Sequence, residues 1–285
     1  MSLMKNVTIG YLFTGDLSKD EKIFLEEAKK KNVELVLLNL SRDSDEKRIE
    51  ELIKSFDLVY NATAEDYVIE IVKTIEGMGK KVVDSSKAYY YIEDKWLFFL
   101  KCKENNIPTP ETILLSENET IAKKELKEFG RWPVVLKRVV GTMGEYVEKA
   151  DNISEAIGVI NKFWKKGGKN FPVVAQEFIH SPSYRVTVID GEIVQTALKE
   201  NKGWKATGVY AKKFKKFEVD EKLKKIIDKV VRISGIKICG IDFFKKDGEW
   251  IVLEINSEPG FDFFEGERRK LIGKTLNYLV KVARQ

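Results

Sequence analysis

The most constraining feature is an alternation of two periodicities over the first part of the chain. "NVTIGYLF", "VELVLLNL", "DLVYNA" and "KKVVDSS" are short β-branched runs of strand character. Between them lie "SKDEKIFLEEAKKKN", "SDEKRIEELIKSF" and "EDYVIEIVKTIEGMG", with apolar residues at helical spacing. Strands that alternate with helices must be joined by crossovers, so they form a parallel sheet covered by its helices. Residues 1–88 are therefore expected to form one α/β domain, with Ser18 capping its first helix.

The grain then changes. "EDKWLFFLKCKENN" reads as a helix ended by the two prolines of "IPTPET". "WPVVLKRVVGTMGEYVEKA" reads as two strands about a glycine-containing loop, followed by a helix from Ser154 to Trp164. "FPVVAQEFI" is a strand, and "YRVTVIDGEIVQTALK" is a hairpin about Asp190-Gly191. A helix "DEKLKKIIDKVVRIS" precedes a second hairpin, "IKICGIDFFKKDGEWIVLEIN". A last amphipathic helix spans about Glu267 to Val282. Local strand pairing with segregated helices is an α+β pattern, so the fold class is α/β followed by α+β.

In the second hairpin, Glu254 and Asn256 lie two apart on one face of an otherwise apolar strand, and Asp242 lies on its partner. Carboxylates and amides are hard oxygen ligands suited to Mg²⁺ beside phosphate. They converge only if all three share a face. A two-residue turn at Asp247-Gly248 would set Asp242 opposite Leu253 and put Glu254 on the other side. The metal reading therefore predicts an odd-residue loop, such as Asp247-Gly248-Glu249, and a two-residue turn would sink it. A half-exposed strand with solvated charges fits the bare pattern equally.

Other polar residues stand out singly. Lys137 ends a β-branched strand before Gly141-Thr142-Met143-Gly144, where small residues let backbone N–H groups approach phosphate. An ordinary turn with a surface lysine also fits. Lys95 opens a helix, where a cation opposes the helix dipole and asks for a reason such as phosphate contact. Arg185 lies mid-strand and suits bidentate binding of phosphate or carboxylate, with an edge-strand ion pair as the alternative. Lys199 ends the partner strand, so the two can face one pocket. "GKT" at Gly273–Thr275 is not a P-loop, because Arg268 stands where its first glycine belongs.

Composition removes several classes. With 285 residues, 43% of them hydrophobic and 33% charged, the chain can build two or three cores. The net charge of +5 comes from 50 basic and 45 acidic residues interspersed along helices, so no nucleic-acid stripe is expected. Cys102 and Cys239 are the only cysteines and His180 the only histidine, which disfavours zinc and leaves nucleophile–histidine catalysis to His180 alone. The start of the chain enters a strand without signal-peptide anatomy, and no apolar run reaches membrane length. A cytoplasmic protein with no membrane partner is expected.

Taken in order, these pieces resemble the ATP-grasp superfamily of carboxylate–amine ligases, within it the RimK-like glutamate ligase branch. "DKWLFFLKCKENNIPTPET", "PVVLKRVVGTMGEYV", "VVAQEFI", "YRVTVIDGEIV", "GIDFF" and "LEINSEPGF" carry the likeness, which covers nearly the whole chain. The resemblance implies an N-terminal domain (1–88), a central lid (89–175) and a C-terminal catalytic subdomain (176–285), with ATP between the last two. It implies that Lys95, Lys137, Gly141, Thr142 and Gly144 bind phosphates. Gln176, Glu177, Phe178 and Ile179 would hold adenine, with Glu177 and Ile179 as the backbone contacts. Asp242, Glu254 and Asn256 would bind Mg²⁺ or Mn²⁺, and Arg185 with Lys199 would stabilise the transferring phosphoryl group. The implied reaction is ATP-dependent amide formation through an acyl phosphate, between small-molecule or peptide carboxylate and amine substrates. A nucleotide-binding protein of the same fold without ligase activity is the alternative, and a homo-oligomer is left open. The chain departs from the branch at Asp84, Ser183 and Thr207, where asparagine, aspartate and asparagine are usual, which puts glutamate itself in question. Lys205, Lys212 and Lys213 fit an anionic substrate or simple solubility.

Overall fold

Four strands, Val7–Phe13 (β1), Val33–Asn39 (β2), Leu58–Asn61 (β3) and Val82–Val83 (β4), pair in the order β2-β1-β3-β4, all parallel, as the alternation predicts. The computed structural model describes residues 7–41, 46–63, 65–141, 145–200, 203–204, 213–257 and 259–285. Lys19–Lys30 (α1), Glu46–Lys54 (α2) and Asp66–Gly77 (α3) connect the strands. Ser18 caps α1 as expected: its Oγ accepts from Asp20 N at 3.0 Å and its N–H donates to Glu21 Oε2 at 2.7 Å.

Ser86–Glu93 (α4) and Lys95–Glu104 (α5) lead out of this domain. The central region comprises Thr112–Leu115 (β5), Glu119–Phe129 (α6), Val134–Arg138 (β6), Val147–Ala150 (β7), Ile153–Gly167 (α7) and Val173–Glu177 (β8). Its strands form an antiparallel sheet ordered β5-β8-β6-β7, with apolar residues of α6 and α7 in its core. The C-terminal region comprises Ser183–Ile189 (β9), Glu192–Glu200 (β10), Lys213–Lys215 (β11), Glu221–Ser234 (α8), Ile238–Lys246 (β12), Glu249–Asn256 (β13) and Glu265–Ala283 (α9). Its sheet is antiparallel, ordered β11-β10-β9-β12-β13.

The cores cross the divisions drawn from the sequence in two places. Phe98 and Cys102 of α5 pack with Val186, Val188, Ile241 and the apolar face of α8, in the C-terminal core. Leu271, Ile272, Leu276 and Leu279 of α9, each at most 2% exposed, pack against Ile9, Tyr11 and Tyr60 of the N-terminal sheet. Burying such side chains contributes roughly 1.5–3 kcal/mol each. The last helix thus completes the first domain, and Ile189 and Ile238 carry the same cluster onto the C-terminal sheet. One face of that sheet is covered by α8 and α5. The other is apolar where it meets α9 and polar beyond.

Candidate active site

The polar end is set by the β12–β13 hairpin. Lys246 pairs with Glu249, so the turn is the two residues Asp247 (φ 53°) and Gly248 (φ 82°). The expected odd-residue loop is not there. Yet Asp242 lies opposite Glu254, because the register shifts between Phe243, which pairs with Val252, and Asp242. Leu253 is the extra residue of a β-bulge, and a bulge changes strand parity as surely as a longer loop does. Trp250 and Val252 before it, and Ile255 after it, all face the core. The loop condition was too narrow, and the pairing it was meant to secure is present. Glu254 and Asn256 share the face of Asp242, the donor set a hard cation takes together with phosphate oxygens and water. No group of three His, Cys, Asp or Glu that could hold a metal alone occurs among the described residues. A cation here needs Asn256 and oxygen ligands from substrate.

Two cations lie on the same face. Lys199, 1% exposed, donates to Asp242 Oδ1 at 2.7 Å. Arg185 stands opposite Asp242 on central strand β9, so the edge-strand alternative falls. Its Nε is 3.2 Å from Asp242 Oδ1, an ion-pair distance, but is out of line for a hydrogen bond; neither Nε nor Nη1 has a hydrogen-bond partner among the described residues. Its guanidinium lies across Gly240, where a Cβ would come within 2.2 Å of Nη1. Glycine inside a strand marks such a close approach. Burial works to raise the Asp242 pKa, but Arg185 and then Lys199 outweigh it and hold the carboxyl below its ordinary value. Lys199 is lowered by burial, against the pull of Asp242.

Across the cleft, a pocket is lined by Lys95, Phe99, Lys137, Gln176, Leu253 and Glu254, among others. Lys137 is buried, and its Nζ donates to Gln176 Oε1 at 2.8 Å, whose Nε2 donates to Thr112 Oγ1 at 3.0 Å. Burial lowers the Lys137 pKa to about 8; Glu254 and Asp242 oppose this and Lys95 adds to it. Lys95 is the first residue of α5, below Asp94, whose carboxylate caps Leu97 N at 2.7 Å. Its Nζ donates to Gly141 O at 2.5 Å, which ties the helix start to the glycine loop. Glu177 N–H and Phe178 N–H are used within the fold, by Glu111 O at 2.9 Å and Pro133 O at 3.0 Å. The Glu177 carboxylate accepts from Lys246 Nζ at 2.8 Å and from Glu111 N at 3.1 Å.

Thr142 and Gly144, like Lys205, Thr207 and Lys212, lie outside the described residues. Leu253, Gly240 and Thr112 escaped the sequence reading. Gly240 had a signal, as a glycine inside a strand pattern; Leu253 and Thr112 had none.

A family model described as the RimK-like ATP-grasp domain matches residues 92–277. The chain belongs to the RimK-like ATP-grasp family. It is therefore a carboxylate–amine ligase by class, and ATP use goes with that family. Among relatives, this RimK-like chain is 30% identical over 193 residues to the alpha-aminoadipate–LysW ligase LysX of Saccharolobus solfataricus, covering 66% of this chain and 69% of the relative. It is 27% identical over 201 residues to the coenzyme gamma-F420-2:alpha-L-glutamate ligase of Methanocaldococcus jannaschii, covering 68% of each. A RimK domain ATP-grasp protein of Sphaerobacter thermophilus superposes with a TM-score of 0.78 at 16% identity, covering 96% of this chain and 100% of that one. D-alanine–D-alanine ligase of Bacillus anthracis gives 0.75 at 18% identity, covering 98% and 97%. These two share the fold. No helix among the described residues is long and apolar enough to cross a membrane.

Proposed function

We propose that this chain uses ATP to join the carboxylate of a small molecule or peptide to the amine of an amino acid, glutamate being the first candidate. The observation that carries the reading is the convergence of Arg185, Lys199, Asp242, Glu254 and Asn256 on one sheet face, beside the pocket of Lys95 and Lys137. Relatives named as glutamate ligases and an aminoadipate ligase support the amino-acid part.

The carboxylate oxygen attacks the γ-phosphorus, the bond to ADP breaks, and an acyl phosphate forms. The amine nitrogen then attacks the acyl carbon, the carbon–oxygen bond to phosphate breaks, and the amine's proton is lost to solvent. Two anions must meet, so the protein's task is charge neutralisation and positioning. Lys95 and Lys137 hold phosphates, and Gln176 with Thr112 keeps the Lys137 ammonium aimed into the pocket. Arg185 offers its unbonded Nε and Nη1 to the transferring phosphoryl group or the attacking carboxylate. Lys199 holds Asp242 in place and ionised. A divalent cation bound to Asp242, Glu254 and Asn256 would neutralise phosphate charge. Glu177 and Ile179 would meet adenine, Glu177 through its carbonyl, since its N–H donates to Glu111 O.

The test is a phosphate-release screen with Mg-ATP and paired acids and amines, glutamate and aminoadipate among the amines, with mass spectrometry of the product. Phosphate release that requires both partners, together with a new amide, supports the reading. ATP binding without amide from any pair overturns it.

A further inference from the structure

Beyond Asn256 the chain turns back over the cations. Thr187 Oγ1, on the sheet below, donates to Pro259 O at 2.8 Å and fixes where this loop starts. Gly260 has φ +80°, and a Cβ there would lie 2.3 Å from the Phe263 ring. The bare backbone at 260 is thus a seat for that ring. From this seat the ring centroid lies 5.9 Å from Arg185 Cζ and 5.9 Å from Lys199 Nζ. Phe214, on edge strand β11, braces it at 4.9 Å between ring centroids. A ring held over two cations attracts both and takes the place of water beside them. Phosphoryl transfer needs charge and position, neither of which calls for an aromatic side chain. An acyl phosphate does need protection, because water attacks the same carbon as the amine.

We propose that Phe263 is a positioning residue that shuts water out from the Arg185–Lys199 end of the site, so that the acyl phosphate meets the amine. The proposal rests on the ligase reading above. With water as nucleophile, its oxygen bonds to the acyl carbon, the bond to phosphate breaks, and the free acid returns. The net reaction is then ATP hydrolysis. Amide formation and hydrolysis each release one phosphate, so the ratio of phosphate to amide measures access by water.

The experiment compares the full-length protein with Phe263→Ala, Phe263→Leu and Phe214→Ala, using Mg-ATP and the acid–amine pair found in the screen. The native chain gives a ratio near one. Phe263→Ala raises it about fivefold or more, Phe263→Leu keeps it near native, and Phe214→Ala falls between. With acid but no amine, Phe263→Ala hydrolyses ATP continuously, whereas the native chain does not. A native-like ratio in folded Phe263→Ala overturns the proposal. Should that variant not fold, a native-like ratio in Phe214→Ala overturns it instead, since Phe214 is a half-buried edge-strand residue. No amide from the native chain with any pair is a failure of the ligase reading itself.

Discussion

The Lys199–Asp242 pair is the most exacting place to test this account. Both side chains are buried, at 1% and 5% exposure, and Nζ to Oδ1 is 2.7 Å. At an effective dielectric of about 20, such charges attract by roughly 6 kcal/mol. Desolvation offsets most of this, so the intact pair adds little net stability, but removing one partner strands the other. Asp242→Asn leaves both Lys199 and Arg185 short of a counter-charge and should cost about 3–5 kcal/mol. Lys199→Met leaves Asp242 with Arg185 at 3.2 Å, so its cost should be smaller, about 2–3 kcal/mol. In the double variant both members of the buried pair are gone, Arg185 and Glu254 remain as the partly buried ions beside it, and the costs should fall short of additivity by about 2 kcal/mol. Urea unfolding of the four proteins supplies the cycle, read by tryptophan fluorescence, to which Trp250 in the C-terminal core contributes. Additive costs, or an Asp242→Asn loss within about 1 kcal/mol, would refute the claim that this pair is electrically isolated from water.

Three further outcomes follow from buried polar groups and one close contact. Lys137 has its pKa depressed to about 8, so its proton is present below that pH and lost above it. Nucleotide affinity measured by calorimetry should be flat up to about pH 8 and fall beyond it, approaching tenfold per unit, and Lys137→Met should abolish the slope. Asp84 is fully buried and accepts from Lys237 N at 2.7 Å and Ile238 N at 3.0 Å; burial nonetheless raises its pKa from 3.8 to about 7. A raised acid favours the folded state below the unfolded pKa and loses that benefit as pH climbs to the folded pKa. Asp84→Asn should therefore gain on the native chain between about pH 4 and 7, by up to roughly 4 kcal/mol in unfolding free energy. Gly240→Ala pushes a methyl group into Arg185 and should lower kcat about 10²-fold with nucleotide affinity retained, as should Arg185→Ala. Near-native turnover in either variant would remove Arg185 from the proposed role.

The parts of this fold that were legible depend on short-range rules. Alternating periodicity dictated the parallel sheet, and Asp190-Gly191, with φ 51° and 78°, dictated its hairpin. Helix α6 was legible but unread: Asn118 caps it through Thr120 N and Ile121 N, and Gly130 ends it at φ 62°. Helix α4 was less so, because three successive tyrosines favour strand as much as helix and only Tyr89 among them is buried. The Leu253 bulge was not legible. Its register is fixed by the apolar residues on both sides of it, Val252 and Ile255, which must reach one core at odd spacing. Single residues such as Lys95 and Arg185 carried little meaning alone. They gained it from order along the chain, since helix α5 and two sheets, far apart in sequence, bring them to one cleft.

The packing of α9 on the N-terminal sheet has a consequence for synthesis. Ile9, Tyr11 and Tyr60 leave the ribosome early, but Leu271 to Leu279, which cover them, come more than 200 residues later. At roughly 5–20 residues per second, that face of the first domain stays uncovered for ten seconds or more. The α/β domain that looks most self-sufficient in the sequence is therefore among the last to be finished, and a nascent chain stalled before Glu265 should be held by chaperones rather than folded.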